Sequence, residues 1–460
     1  MNYQENLQEL KGHLSIKEDK LGLTHKINKR SNFFPFGTRA TERSKFKDGF
    51  DGVLGEFTRN ICEVDLAQPL DLEKLVKEIS LNEDINDEEA VYFQQILRMF
   101  LQDNNGTLKV FHPHIFLYLP LNDGKQSKNE KDIAKFLFDI FIDNNQSLRD
   151  IFKSGNSNDL VSKLVLNYLQ GLSETKVEQK YSSKIKHITK TFQEDLTFLS
   201  THEDYFKNHF SLLVSYYYFF YITQLTLKVA QRSKADYEDI NSVYYTLDWE
   251  PTSKSRRGYL NGYPMIKDAY NNLLIDINVL EHLNILFGMN DSQQYTELQS
   301  TFNSLSVEKQ SEFKSVLCDW IKIYREQMSL SPKTIDNEGY EDLVQYLYNS
   351  ILEAYQKPNM LGPRSRYPLS IEEIGKKYFM KTRGSLGYML NVTQDLILLL
   401  AAVCIKNEKQ SLKNLFKELE LRGLFFDRYS KEEIVNLFNK LNLLDKKSDS
   451  GDAQYVKPIL

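Results

Sequence analysis

The sequence predicts a mainly α, multi-domain protein with a C-terminal winged-helix-like region and minor β structure, on three observations. Apolar residues recur three and four apart in most long segments, the period of a helix with one buried face, whereas strand-like alternation is scarce. The chain has 460 residues, about three times the ~150 of a typical domain, so several cores are expected rather than one. Near the C-terminus, cap and turn signals follow one another as helix, helix, helix and hairpin, the order of a winged helix.

Residues 1–129 read as a mixed N-terminal region. Up to about Arg59 the glycines Gly37, Gly49, Gly52 and Gly55 and the string Phe33-Phe34-Pro35-Phe36-Gly37 predict an ordered loop with aromatic anchors. Asp71 can cap a helix through Leu75 and Val76, and Asn86 or Asp87 another carrying Val91, Ile96 and Phe100. The run Leu108 to Leu119, rich in Val, Ile, Phe and Tyr and stopped by Pro120, predicts a buried strand. The polar stretch Asn122 to Asn129 ends the region.

Residues 130–358 read as a helical domain, with helices near 131–142, 157–172, 176–200, 203–231, 264–287, 306–329 and 339–356. Asp248 to Gly262, with Pro251 and two glycines, breaks the pattern. Lys357 to Tyr367, with Pro358, Gly362 and Pro363, reads as the boundary to the C-terminal domain at 359–460.

In that last domain Asn391 to Ile405 predicts an apolar helix. Ser411 caps a second, with Leu412, Leu415, Phe416 and Leu419 on one face, ending at Gly423. Ser430 with Glu433 forms a capping box for a third, which buries Ile434, Leu437, Phe438 and Leu441. Leu443 to Lys446 and Ala453 to Val456 flank the polar turn Ser448 to Asp452 as a hairpin.

Lys and Arg number 58 against 63 Asp and Glu, a net charge of −5, which excludes a general polyanion binder and confines any nucleic-acid contact to local patches. Cys62, Cys318 and Cys404 lie far apart and form no CxxC pair, fitting a reducing cytoplasm and no four-thiolate zinc. Met1 to Lys20 lacks the apolar core of a secretory signal. Phe210 to Leu227 is eighteen residues without a charge, but four tyrosines at its centre predict a buried core helix and no membrane span.

Four places could meet DNA. On the third helix of the C-terminal domain Asn436 and Asn439 can bond base edges, with Glu432 on the same face and Lys440 on its flank, and the hairpin adds Lys446 and Lys447. Five lysines against five acids from 430 to 460 leave a protein-docking role equally open. Lys26 to Lys47 holds Lys26, Lys29, Arg30, Arg39, Arg43, Lys45 and Lys47 against Glu42, interleaved with phenylalanines. Arg364 to Arg383 holds Arg364, Arg366, Lys376, Lys377, Lys381 and Arg383 against Glu372 and Glu373. Lys254, Arg256 and Arg257 form a smaller cluster.

No catalytic residue, metal site or cofactor is expected. Gly124-Lys125-Gln126-Ser127 has the tail of a phosphate loop without its first glycine or its strand. His112 and His114 lack a third ligand, and His202-Glu203 does not complete H-E-x-x-H because position 206 is Phe. Asp248-Trp249-Glu250 with Lys254 reads as a capped, ion-paired loop, a metal-dependent nuclease being the weaker alternative.

Arg422-Gly423-Leu424-Phe425-Phe426-Asp427-Arg428-Tyr429-Ser430, followed by Lys447-Ser448-Asp449-Ser450-Gly451-Asp452-Ala453-Gln454-Tyr455-Val456, resembles the C-terminus of the DptG family, the middle subunit of phosphorothioation-dependent DNA restriction systems. Leu247-Asp248-Trp249-Glu250 and then Ser253-Lys254-Ser255-Arg256 are similar as well. Specific matching covers these patches and does not extend to the N-terminal third. The resemblance implies a bacterial defence role beside an ATPase subunit and a larger nucleotide-hydrolysing subunit, acting on DNA without backbone sulfur. It carries no catalytic residue onto this chain. The expectation is a cytoplasmic, non-catalytic subunit that bridges ATPase partners and contacts DNA, with a protein-only scaffold as its rival.

Overall fold

Helix accounts for 61% of the computed structural model and strand for 6%, as the helical period requires. The structure describes residues 2–446 and 454–460, apart from 18, 28, 38, 48, 83–85, 105, 143–145, 252–255 and 336–337.

Helix α1 (Tyr3–His13) buries Tyr3, Leu7 and Leu10. The loop expected up to about Arg59 runs only from there to Phe50, where a helix begins, and it is ordered by its aromatics, since Phe33, Phe34, Phe36, Phe46 and Phe50 are all buried. Its backbone is also held by the buried Glu281 carboxylate, which accepts from the Lys29 and Arg30 N–H groups and the Ser31 hydroxyl. Helix α2 (Asp51–Cys62) meets the chain near Leu119 so closely that a Cβ on Gly55 would lie 2.3 Å from the Leu119 carbonyl oxygen. A short strand β1 (Val64–Asp65) leads to α3 (Leu72–Asn82) and α4 (Asp87–Leu101). The Asp71 and Asn86 caps form as expected, Asp71 accepting from the Lys74 N–H and Asn86 from the Glu89 N–H.

The strand expected over Leu108 to Leu119 does not form. Pro113 opens a short 3₁₀ turn, Pro113–Tyr118, with the His114 N–H donating to His112 Nδ1. Proline has no N–H for a ladder and its ring fixes φ near the helical value, so strand pairing stops before it. His112 and His114 then tie this turn to the Asn156 and Phe152 carbonyls, a structural role.

Helices α5 (Ser127–Phe141), α6 (Gln146–Lys153) and α7 (Leu160–Asn167) follow, then β2 (Ser173–Glu174), which pairs antiparallel with β1. The helix expected from 176 begins only at α8 (Lys186–Ser200). Before it the chain is an extended strap whose N–H groups find side-chain acceptors. Asp139 takes those of Lys180 and Tyr181, and the Tyr221 hydroxyl those of Lys184 and Ile185. Backbone donors satisfied in this way leave a helix nothing to gain there.

The apolar, tyrosine-rich run is the middle of α9 (Glu203–Gln231), buried from Leu213 to Val229. Its phenols explain why it suits a protein core. Tyr216 donates to the Arg422 carbonyl and Tyr217 to Asp195. Among the described residues no helix is long and apolar enough to cross a membrane.

After β3 (Thr246–Leu247) come α10 (Arg257–Leu260), α11 (Tyr263–Tyr270), α12 (Leu273–Phe287), α13 (Tyr295–Asn303), α14 (Val307–Gln327) and α15 (Tyr340–Tyr355). The stretch read as a boundary loop is itself helical, α16 (Pro358–Arg366). Pro358 sits in the first turn, where an N–H is not needed, and only Pro363 costs a bond. Then follow α17 (Leu369–Ile374) with a wide turn over Gly375–Phe379, β4 (Met380–Thr382) and β5 (Tyr388–Val392). β5 lies between β4, antiparallel, and β3, parallel.

The end of the chain runs α18 (Gln394–Ile405), β6 (Gln410–Ser411), α19 (Leu412–Leu421), α20 (Arg428–Lys440), β7 (Leu444–Lys446) and β8 (Gln454–Val456). The expected hairpin forms, and β8 also pairs with β6, giving the order β6-β8-β7. Gly423 takes φ +81°, and a Cβ there would lie 2.1 Å from buried Phe220, so both conformation and space demand glycine. The cap of α20 differs from the expected one: Asp427, not Ser430, accepts the first N–H, that of Ser430 itself. Ser430 is thereby inside the helix, and its hydroxyl donates to buried Glu250.

One buried apolar cluster contains Phe57, Leu280, Leu400 and Val456, so packing is continuous across the three stretches into which the sequence divides. A second, smaller core (Leu75, Val76, Ile79, Leu97, Leu101 and Val165) lies under α3, α4 and α7.

Acid sensitivity follows from the core. His25 is largely enclosed, 2.8 Å from the Tyr324 hydroxyl and against the Tyr355 ring, and burial lowers its pKa from 6.5 to about 4. Below pH 6.5 the unfolded chain binds a proton that the folded chain refuses, so this stability is complete above 6.5 and is lost as pH falls towards 4. The loss at the acid end is about 3 kcal/mol. Urea midpoints should fall over this range, and His25→Phe should flatten the decline. An equal slope in that variant would refute the assignment.

Candidate nucleic-acid interface

Local sequence places α20, but two buried ion pairs fix its direction. At the end of α19 the Arg422 guanidinium lies on Asp195 of α8, with Nε to Oδ2 at 2.7 Å and Nη2 to Oδ1 at 2.6 Å. Both side chains are sealed from solvent. Burial pushes the Asp195 carboxyl up against the pull of Arg422. At the start of α20 Arg256 reaches Asp427 at 2.8 and 2.6 Å and Glu250 at 3.2 Å, and donates to the Ser430 hydroxyl at 2.7 Å. Burial also raises the Glu250 pKa, more than the Leu247 N–H and Arg256 lower it. The backbone joins in, the Phe425 N–H donating to Val243 and the Tyr245 N–H to Phe425. The turn between α19 and α20 is thus fastened at both ends to residues 243–250, to Arg256 and to α8. This accounts for Asp248-Trp249-Glu250, since Asp248 accepts from Lys381 and Asn391 and Glu250 is paired with Arg256. Lys254 lies outside the described residues, and among those described no cluster of three His, Cys, Asp or Glu could hold a metal.

The open face of α20 shows Arg428, Tyr429, Glu432, Asn436, Asn439 and Lys440. Arg428 is paired with Glu432 at 2.8 Å, and Asn436 is 3.4 Å from Glu433. A cleft of about 690 Å³ runs beside it, floored by Leu412, Phe416, Phe426 and Val435 and rimmed by Arg257 and Lys431. Lys440 is exposed in the last turn. Lys447 and the side chain of Lys446 lie outside the described residues.

The fold divides each basic stretch into a structural and an exposed half. In the first, Lys29 pairs with Glu9, and Arg30 donates to the Met289 carbonyl at 2.7 Å. Arg43, a candidate contact, is 5% exposed, pairs with Glu373 at 3.2 Å and donates to the Arg366 carbonyl, so it is a fastener and not a phosphate ligand. In the second, Arg364 is held by Asn271 and Asn272, Lys381 by Asp248, and Arg383 by the Leu247 carbonyl and Asn391. The remaining cations, Lys26, Arg39, Lys45, Lys47, Arg366, Lys376 and Lys377, are exposed, Lys26 donating to the Ser15 hydroxyl.

These exposed halves meet. Lys377 Nζ donates to the Lys47 carbonyl at 2.8 Å, and Arg43 joins the same two segments from below. Lys45 adds a third segment, its N–H pointing to Gln126 Oε1 at 3.4 Å, beside exposed Lys125 and Lys128. Sequence reasoning passes over these two lysines, because it weighs Gly124-Lys125-Gln126-Ser127 only as a phosphate loop. The pair Arg39–Glu42 is a surface ion pair worth about 0–1 kcal/mol, which a phosphate can displace, whereas Lys376 pairs with a half-buried Glu372 that also accepts from Tyr263 and Tyr270. The patch is a cation cluster drawn from three distant parts of the chain, suited to phosphates and silent about base identity. Comparison with known protein families and with characterised proteins finds no match.

Proposed function

We propose that the protein is a cytoplasmic, non-catalytic subunit of a phosphorothioation-dependent restriction complex, in which it bridges ATPase subunits and contacts DNA. Residues 394–456 act in it as a winged helix. The observation that carries the DNA contact is the meeting of the two basic stretches at Lys47 and Lys377. The element order from α18 to β8, with β6 completing the sheet of the hairpin, supports the winged-helix reading. The DptG-like strings support the choice of system.

The test is DNA affinity as a function of salt. Each phosphate contact contributes about 0.9 to the slope of log K against log salt. Lys47→Glu, Arg366→Glu and Lys377→Glu together should therefore flatten the slope by about 2.7. Lys440→Glu with Lys446→Glu and Lys447→Glu should flatten it further if the wing also lies on DNA. Unchanged slopes in both sets would refute DNA contact.

The rival, a protein-only scaffold, draws on the near-neutral face of α20 and its cleft. In that case the wing substitutions should break co-purification with the ATPase subunits and leave DNA affinity unchanged.

A further inference from the structure

Helix α4 has an outer face that nothing in the described structure covers. Its inner residues Leu97 and Leu101 belong to the small core shared with α3 and α7. On the other side Val91, Tyr92, Ile96 and Met99 stand 56%, 68%, 58% and 75% exposed. Spacings of four (92 to 96) and three (96 to 99) place Tyr92, Ile96 and Met99 on one stripe about 10 Å long, with Val91 on its flank. A helix apolar on both faces at this density, on the outside of a fold, has one face too many for a single core.

The charge around the stripe says what can cover it. Residues 71–103 hold nine acids and three bases in a chain whose net charge is −5, so this lobe alone accounts for the protein's negative balance. Of the bases, Arg98 is bound to Glu73 at 2.9 and 3.0 Å and Lys74 leans on Glu78 at 3.7 Å. Asp87 and Glu88, exposed at the start of the stripe, have no ion-pair partner among the described residues. They suit the positive end of their own helix, but that role asks for no apolar stripe.

We propose that the outer face of α4 docks an amphipathic helix of a partner protein, with apolar residues at three- and four-residue spacing and lysines or arginines flanking them. Apolar anchors give such a contact its affinity and the flanking charges its orientation and rate. A second copy of this chain is a poorer occupant, because two lobes whose described residues carry seven acids and three bases would face each other. An anionic membrane is poorer still, since helices that lie on one carry Lys and Arg on their polar face. The surface goes beyond the DNA-contact reading and stands whether or not the chain meets DNA.

The full chain should be titrated with a synthetic helical peptide that has leucines at that spacing and lysine flanks, and with two controls, a scrambled peptide and one with glutamate flanks. The lysine-flanked helix should bind in a salt-sensitive way, and both controls at least tenfold more weakly. Tyr92→Ser with Ile96→Ser should weaken it tenfold or more while leaving the melting curve unchanged, because both side chains are already in water. Asp87→Lys with Glu88→Lys should weaken the lysine-flanked peptide and strengthen the glutamate-flanked one. Equal binding of all three peptides, indifference to these substitutions, or self-association of the chain that Tyr92→Ser with Ile96→Ser abolishes would each overturn the proposal. DNA affinity should be the same in these variants as in the parent.

Discussion

Asp195→Ala should destabilise the protein by about 3 kcal/mol, the lower end of the usual range for breaking a buried ion pair, because Arg422 keeps the Glu418 carboxylate at 2.8 Å. Arg422 is 3% exposed and has both of its Asp195 contacts sealed from solvent. Its remaining acceptors are the Glu418 side chain and carbonyl. Tyr217, which donates to Asp195 at 2.5 Å, would lose its acceptor at the same time. The pair itself need not be worth this much, because burying both charges also costs desolvation. Asp195→Ala combined with Arg422→Met should therefore cost less than Asp195→Ala alone. Urea unfolding followed by far-UV circular dichroism and by tyrosine fluorescence checks both. A single-variant loss below about 1 kcal/mol, within the range of an exposed pair, would show the site to be open to water.

Arg256→Ala should cost at least as much, about 3–5 kcal/mol, with a different signature. Removing the guanidinium leaves Glu250 and Asp427 as neighbouring carboxylates with only Ser430 and backbone N–H groups to answer them. Glu250, already raised by burial, would rise further. A carboxyl whose folded pKa lies above its unfolded value holds its proton better when folded. The penalty is accordingly absent at low pH and grows as pH rises through the folded value. The stability gap between Arg256→Ala and the parent should be wider at pH 8 than at pH 5. The loss should also be local first, with amide exchange rising in α20 and in residues 243–250 before the rest of the core. A uniform, pH-independent loss would mean that Arg256 contributes packing alone.

The two pairs explain how much of the candidate interface is legible in the sequence. The caps at Asp71, Asn86 and Ser411 and the stop at Gly423 are readable because each is settled within one turn of backbone. The capping box expected at Ser430 is displaced because two acceptors compete within three residues. Asp427 takes the N–H, while Glu250, 180 positions away, engages the Ser430 hydroxyl. The strand before Pro120 fails on Pro113, which is visible in the sequence, and the helix from 176 fails on Asp139 and Tyr221, which are visible only as residues elsewhere.

The basic stretches show the same division more sharply. Their charges are plain, but composition does not distinguish Arg43 from Lys47. Arg43 is buried against Glu373, 330 residues on, while Lys47 stays in solvent and meets Lys377. By itself the sequence determined the helical class, the long apolar helices of the middle and end of the chain, the caps at Asp71, Asn86 and Ser411, the aromatic anchors of the first loop, the C-terminal hairpin and the local excess of positive charge. Only the tertiary structure decided which cations are spent on internal carboxylates and carbonyls, which remain in solvent to form one patch, and that α4 presents a second apolar face to solvent. Helix period and capping are decided by neighbours within about four residues, whereas the partner of a buried charge is chosen by whichever distant segment desolvates it.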